Sequence, residues 1–230
     1  MLYALPQPLL LLGLLIGFVV GGVAHALAQV AAAGRRDRLA TGGRRTADPR
    51  RQLDVFGAIA AAIAGVGWPR PLETDQHRLG SRGRLTLVLL AGPAANLVLA
   101  VAGYAALLAT GAPAGLPVAG VSDVLLGRLA TPAAAAVPLG FATVNLAMAV
   151  LSVVPLPPLV GGRLLFAYAP RTSGWRNAEY RLVDQNWGVG IVLVLLLLPL
   201  AGGVPLLLFL VDTVCAPLLG LVASLVSGAS

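Results

Sequence analysis

The sequence has no lysine, one cysteine and two histidines, and only 11% of its residues are charged. A soluble domain carries about 25% charged residues. The lone Cys215 excludes an internal disulfide framework or a thiolate metal cluster within one chain. Set in an apolar stretch, it reads as a small buried hydrophobe. Aromatic residues make up 5%, too few for the stacking platforms that bind single-stranded nucleic acid. All 16 basic residues are arginine and give a net charge of +7, but they are gathered in a few loops. That grouping suits anchoring beside anionic membrane lipid and argues against nucleic acid as a partner. What is abundant is apolar: 58% hydrophobic residues and a mean hydropathy of +0.88. The natural solvent of such a chain is the bilayer.

The expected fold class is all-α, a polytopic transmembrane bundle of about five or six membrane segments within one integral membrane domain over residues 1–230. Residues 9–33 would extend about 37 Å as a helix. A cleaved signal peptide is the competing reading, because Ala24-His25-Ala26 resembles a cleavage site, yet residues 1–8 carry no basic residue. Further spans are expected at 85–110 and 132–154, and a C-terminal helical hairpin at about 187–228, broken at Gly202-Gly203. Residues 55–68 are apolar but short, and both flanks are basic. That segment is expected to be re-entrant or packed on the bundle. Loop charges place residues 34–54, 69–84 and 163–184 inside and 111–131 outside, so the N-terminus faces outward and the C-terminus the cytoplasm. No appended soluble sensor is expected outside residues 9–227.

Gly13, Gly17, Gly21, His25 and Gln29 recur every four residues and share one helix face. Small residues at this spacing let a neighbouring membrane helix approach, so the stripe should face the bundle and carry His25 and Gln29 inward. His25 is then either hydrogen-bonded in a packing face or functional. Its setting, His25-Ala26-Leu27-Ala28-Gln29, stands where a zinc protease would carry H-E-x-x-H. In that motif two histidines at i and i+4 hold Zn²⁺, and the glutamate takes a proton from the bound water. Ala26 cannot act as a base, and the Gln29 amide is a poor zinc donor. Taken alone, this segment is weak evidence.

Three more segments accompany it, in order. Gly43 to Gly57 is followed by Gly67-Trp68-Pro69-Arg70-Pro71; then come Ala91-Gly92-Pro93-Ala94-Ala95-Asn96, and Asn145 to Gly162 with Pro155-Leu156-Pro157-Pro158-Leu159-Val160-Gly161-Gly162. With them the chain resembles the site-2 protease family of intramembrane zinc metalloproteases, across most of residues 12–168. The protease-like core is accordingly expected over about 9–168. The resemblance implies an aspartate zinc ligand at the position of Val160, which cannot bind metal. Ser152 stands where the family has Asn, Gln52 where a bacterial subgroup has His, and Val55 where it has Pro. A compensating site from His25, His77, Asp54 and Asp75 has no support in spacing.

No catalytic residue is expected, since His25, Ala26, Gln29 and Val160 are the degenerate positions; no metal is expected, with His25 as the residual candidate and zinc as the cofactor only if the site is active in altered form. Gly92, Pro93, Asn96, Ser152, Pro155, Pro158 and Gly161 are the expected substrate- or partner-binding positions. The Gly92-Pro93 pair should open the backbone and free carbonyls, and Asn96 should bond either a neighbouring helix or an extended substrate. The sequence therefore suggests a pseudoprotease in a bacterial plasma membrane. Its partners would be membrane lipid and either single-span membrane proteins or a catalytic relative. The alternatives are an active zinc protease and a small transporter. For the transporter, Asp212 is the main argument, and an ordinary hydrogen-bonded group near a helix break is the plainer account of it.

Overall fold

A computed structural model describes residues 1–34, 48–72, 81–113, 115–199 and 203–227, and it is all-helical, with no strand among them. After a short turn at Leu2–Ala4 come α1 (Pro8–Ala33), α2 (Pro49–Gln52), α3 (Val55–Ala64), α4 (Arg82–Ala109), α5 (Val121–Leu125) and α6 (Ala133–Ser152). Then follow α7 (Val160–Tyr168), α8 (Ser173–Glu179, running into a wide turn at Tyr180–Asp184), α9 (Trp187–Leu197) and α10 (Leu206–Ser227). The protein is an integral membrane protein. α1, α4 and α6 are long and apolar enough to cross a bilayer, and α8 with α9, bent by 68°, would make a fourth span.

Local chemistry sets the boundaries. Pro8 occupies the first turn of α1, where its missing N–H costs nothing. Ser81 caps α4 by accepting from Arg84 N at 3.2 Å. α6 stops at Ser152, and Pro155, Pro157 and Pro158 beyond it cannot continue a helix. α9 is shorter than the apolar run 188–201 suggests. Leu198 is already extended and Pro199 pairs with Pro205 in an isolated bridge, so the chain turns after about 16 Å of helix.

α1, α4 and α6 form the core. A Cβ at Gly13 would run into the Val137 backbone of α6, and one at Gly103 of α4 would lie 2.9 Å from Ala142. The glycine stripe of α1 therefore faces the bundle, as its spacing implied. Backbones this close gain dispersion contacts that lipid chains cannot supply.

Residues 55–68 return to where they started. Leu53 and Pro69 form an antiparallel bridge, and Arg70 N donates to the Gln52 carbonyl at 2.7 Å. Between those points, Asp54 caps α3 by accepting from Gly57 N at 2.9 Å, and Gly65 ends it in the left-handed conformation at φ 86°. The segment is re-entrant in form and too short to cross. Its far end meets the start of the chain, where the Met1 nitrogen donates to the Ala61 and Ala62 carbonyls at 2.8 and 2.7 Å. The loop after α5 joins the same end: Gln7 donates to the carbonyls of Gly127 and Leu129 at 3.2 and 2.8 Å. The N-terminal segment, the tip of the 55–68 segment and the loop at 127–129 thus lie at one end of the bundle.

Candidate functional site

His25 lies about two-thirds of the way along α1, on its packed face, and is 2% exposed. Its Nδ1 is 2.7 Å from Asn96 Oδ1 on α4. Asn96 Nδ2 donates to the Gly21 carbonyl and to Asn145 Oδ1, both at 3.1 Å. Asn145 Nδ2 donates to the carbonyls of Gly17 and Phe141 at 3.2 and 2.9 Å. Carbonyls only accept, so each contact with one fixes which amide atom is nitrogen. The chain of bonds then runs one way. Asn96 must turn its oxygen to His25, so Nδ1 carries the proton and Nε2 keeps the lone pair.

Glycine makes room for this cluster. A Cβ at Gly21 would overlap Asn145, and one at Gly92 would overlap the His25 ring. Pro93 follows Gly92 inside a helix that continues unbroken to Ala109, so the expected opening of the backbone is limited to one missing bond. Having no N–H, Pro93 leaves the Leu89 carbonyl without its helical donor. Gln29 supplies a replacement, its Nε2 donating to Leu89 O at 2.9 Å. The residue in the second ligand position of an H-E-x-x-H helix is engaged in repairing α4.

His25, Gln29, Trp68, Ser152, Pro158 and Val160 line one cavity of about 20 Å³. Such a volume holds about one water-sized species and no peptide strand. Trp68, in its wall, has an indole N–H buried without a protein acceptor among the described residues. Ser152 turns its hydroxyl back to the Met148 carbonyl at 2.6 Å. Ala26 is buried but is not among the lining residues; it lies one turn beyond Gly22, the position facing Leu53 and Pro69. Gly161 and Gly162 press against the Val153–Pro157 backbone, where any Cβ would collide. An outer pocket of about 320 Å³ shares Arg70, Pro71, Pro158 and Arg163 with the inner cavity.

The structure therefore brings His25, Gln29, Ser152, Pro158 and Val160 together from α1, α6, the loop after α6 and the start of α7. Gly92, Pro93 and Asn96 are buried inside the bundle, with the polar atoms of Asn96 engaged by neighbouring helices and not by a substrate. Pro155 is exposed and does not line the cavity. Asp54 serves as a helix cap, and His77 and Asp75 lie outside the described residues, as do Gly43 to Ala47. Asp212 accepts from Ser122 N at 2.9 Å, a structural hydrogen bond near the start of α5. Asn145, which opens the fourth of the family-like segments and has no predicted partner in the sequence, is the residue that ties the cluster to α6. Its signal was an amide in an otherwise apolar run.

The donor set around His25 is one imidazole, one amide already donating, one hydroxyl and the cation of Arg163. Among the described residues no group of three or more His, Cys, Asp or Glu could hold a metal. These residues do not fit a catalytic zinc, which needs about three anionic or imidazole ligands and an open position.

Fold and cavity together define an all-helical integral membrane protein built around a buried imidazole–amide cluster. Its sequence is 30% identical over 196 residues to a protein of Bacillus subtilis (strain 168) named "Putative zinc metalloprotease YwhC", covering 84% of this chain and 82% of that one. The chain belongs to that metalloprotease family. No model of a known protein family matches it, and no solved structure does.

Proposed function

We propose that the protein is a catalytically inactive member of the site-2-protease branch of intramembrane metalloproteases, which binds membrane-protein clients or a catalytic relative and so regulates intramembrane proteolysis. It would sit in a bacterial plasma membrane with its N-terminus outside and its C-terminus in the cytoplasm, as the loop arginines suggest. The observation that carries the reading is the cavity wall. The positions that should supply a base, a second histidine and a carboxylate are Ala26, Gln29 and Val160, the last two lining the cavity, and His25 Nδ1 and Gln29 Nε2 are taken up by Asn96 and the Leu89 carbonyl. The inner cavity is too small for a client, so the outer pocket beside Phe56, Pro157 and Pro158 is the surface left for one.

A second reading, an active zinc protease with an altered site, is supported by the His25 tautomer, whose Nε2 lone pair is the form a metal requires, and by the name of the Bacillus relative. Metal content of the detergent-purified chain separates the two. The pseudoprotease predicts background zinc in the native chain and in His25→Ala, and zinc uptake only after Gln29→His and Val160→Asp are combined. Near-stoichiometric zinc in the native chain that disappears in His25→Ala overturns it.

A further inference from the structure

The first turn of α4 and the chain following α7 enclose a second concavity, of about 290 Å³, which shares no lining residue with the His25 cavity. Arg82, Arg171 and Arg176 line it against a single carboxylate, Glu179. None of the three guanidinium groups has an ion-pair or hydrogen-bond partner among the described residues. Arg82 lies over the Tyr168 ring, 5.8 Å from its centroid. Thr86 and Tyr168 join hydroxyl to hydroxyl at 2.9 Å and hold α4 to α7. One wall is apolar, made by Phe166 and Trp175 packed edge to face at 6.1 Å between centroids.

The position of this concavity carries as much as its lining. Arg82 is the first residue of a membrane-length helix, so the concavity opens where hydrocarbon gives way to headgroups. Tyr168 and Trp175, beside the concavity, expose their rings, and such rings are enriched at membrane–water interfaces. A turn or so further along α4, Leu87 and Leu90 face outward, where acyl chains cover them.

We propose that this concavity binds the phosphate of an anionic phospholipid, with the three arginines on the phosphate oxygens and the Phe166–Trp175 wall against the glycerol and upper acyl chain. Arginine forks suit phosphate oxygens better than a point charge does. The same phosphate chemistry could come from free phosphate, but an apolar wall at the membrane boundary favours a lipid source. Lipid binding here is independent of whether the protein is a protease.

Native mass spectrometry of the full chain in detergent, titrated with phosphatidylglycerol, with phosphatidylcholine or with inorganic phosphate, tests it. Losing two charge-assisted arginine–phosphate contacts should make Arg171→Ala with Arg176→Ala weaken phosphatidylglycerol by at least about thirtyfold. Arg50→Ala with Arg51→Ala removes the same charge from exposed positions on α2 and should change it by less than about threefold. Phosphatidylcholine, whose choline cation opposes the arginines, should bind more weakly than phosphatidylglycerol and lose less from Arg171→Ala with Arg176→Ala. Equal losses from the two pairs would reduce the concavity to general surface charge and overturn the proposal. So would inorganic phosphate binding through Arg171 and Arg176 as tightly as the lipid.

Discussion

The bond from Gln29 to the Leu89 carbonyl exists because Pro93 has no N–H, and this makes the two side chains energetically coupled although they sit on different helices. Leu89 is 1% exposed, so bulk water does not reach its carbonyl if the donor is lost. Gln29→Met keeps the volume and removes the donor. Leaving a buried carbonyl unsatisfied costs about 1–3 kcal/mol in general, and hydrogen bonds between membrane helices are worth roughly 0.6–1.7 kcal/mol. We expect about 1 kcal/mol for Gln29→Met in the native background. Pro93→Ala restores an N–H at the i+4 position, which can bond Leu89 within α4. In that background the same Gln29→Met should cost at least about 0.6 kcal/mol less. The four variants form a double-mutant cycle, read by reversible unfolding in mixed micelles as SDS is raised and helicity followed. A coupling of zero, with Gln29→Met costing the same beside proline and alanine, would refute the account of both residues.

Two further expectations use the same titration. Asn96→Ala orphans the His25 Nδ1 proton and Asn145 Oδ1 together and should cost about 2–4 kcal/mol, whereas Ser152→Ala, which removes only a back-bond to Met148, should cost under about 1 kcal/mol; similar costs for both would mean that the cluster is not cooperative. Gly92→Ala drives a methyl into the His25 ring and should destabilise by about 1–3 kcal/mol, while Gly83→Ala on the same helix meets nothing within 4 Å and should be neutral or slightly stabilising; the reverse order would count against the close approach of α1 to α4.

Much of the fold was legible because membrane helices announce themselves by length. The runs at 9–33, 85–110 and 132–154 became α1, α4 and α6 with ends shifted by a few residues. The four-residue spacing of Gly13, Gly17 and Gly21 told which face of α1 is packed, since only small residues permit that approach. The basic flanks of residues 55–68 told that this segment returns, and the Leu53–Pro69 bridge shows how. α9 was harder to delimit. Its apolar run has no periodicity that separates helix from the extended turn at Leu198 and Pro199. The partners of the buried polar groups were also out of reach. His25 and Asn96 are 71 positions apart, Asn96 and Asn145 49, and sequence alone does not say which helices are neighbours. Gln29 read as a failed zinc ligand, because the carbonyl it satisfies is exposed only by a proline on another helix.

The retained landmarks owe their places to packing. Gly92 is flat against His25, Asn96 joins three helices, Pro93 is matched by Gln29, and Gly161 and Gly162 let the start of α7 touch the loop before it. Changing any of them costs the bundle stability whether or not a metal is ever bound. Of the three positions that differ from the zinc motif, Gln29 has a packing duty of its own at the Leu89 carbonyl, whereas Ala26 fits a buried face and Val160 fills the cavity wall with an apolar side chain. The presence of this frame therefore needs no selection for a protease-like activity, only for a folded membrane protein. It follows that Gly92, Pro93, Asn96 and the Pro155–Gly162 segment are no evidence of client binding on their own. The information about function is concentrated at Ala26, Gln29 and Val160, and in the outer pocket that the inner cavity meets at Pro158 and Arg163.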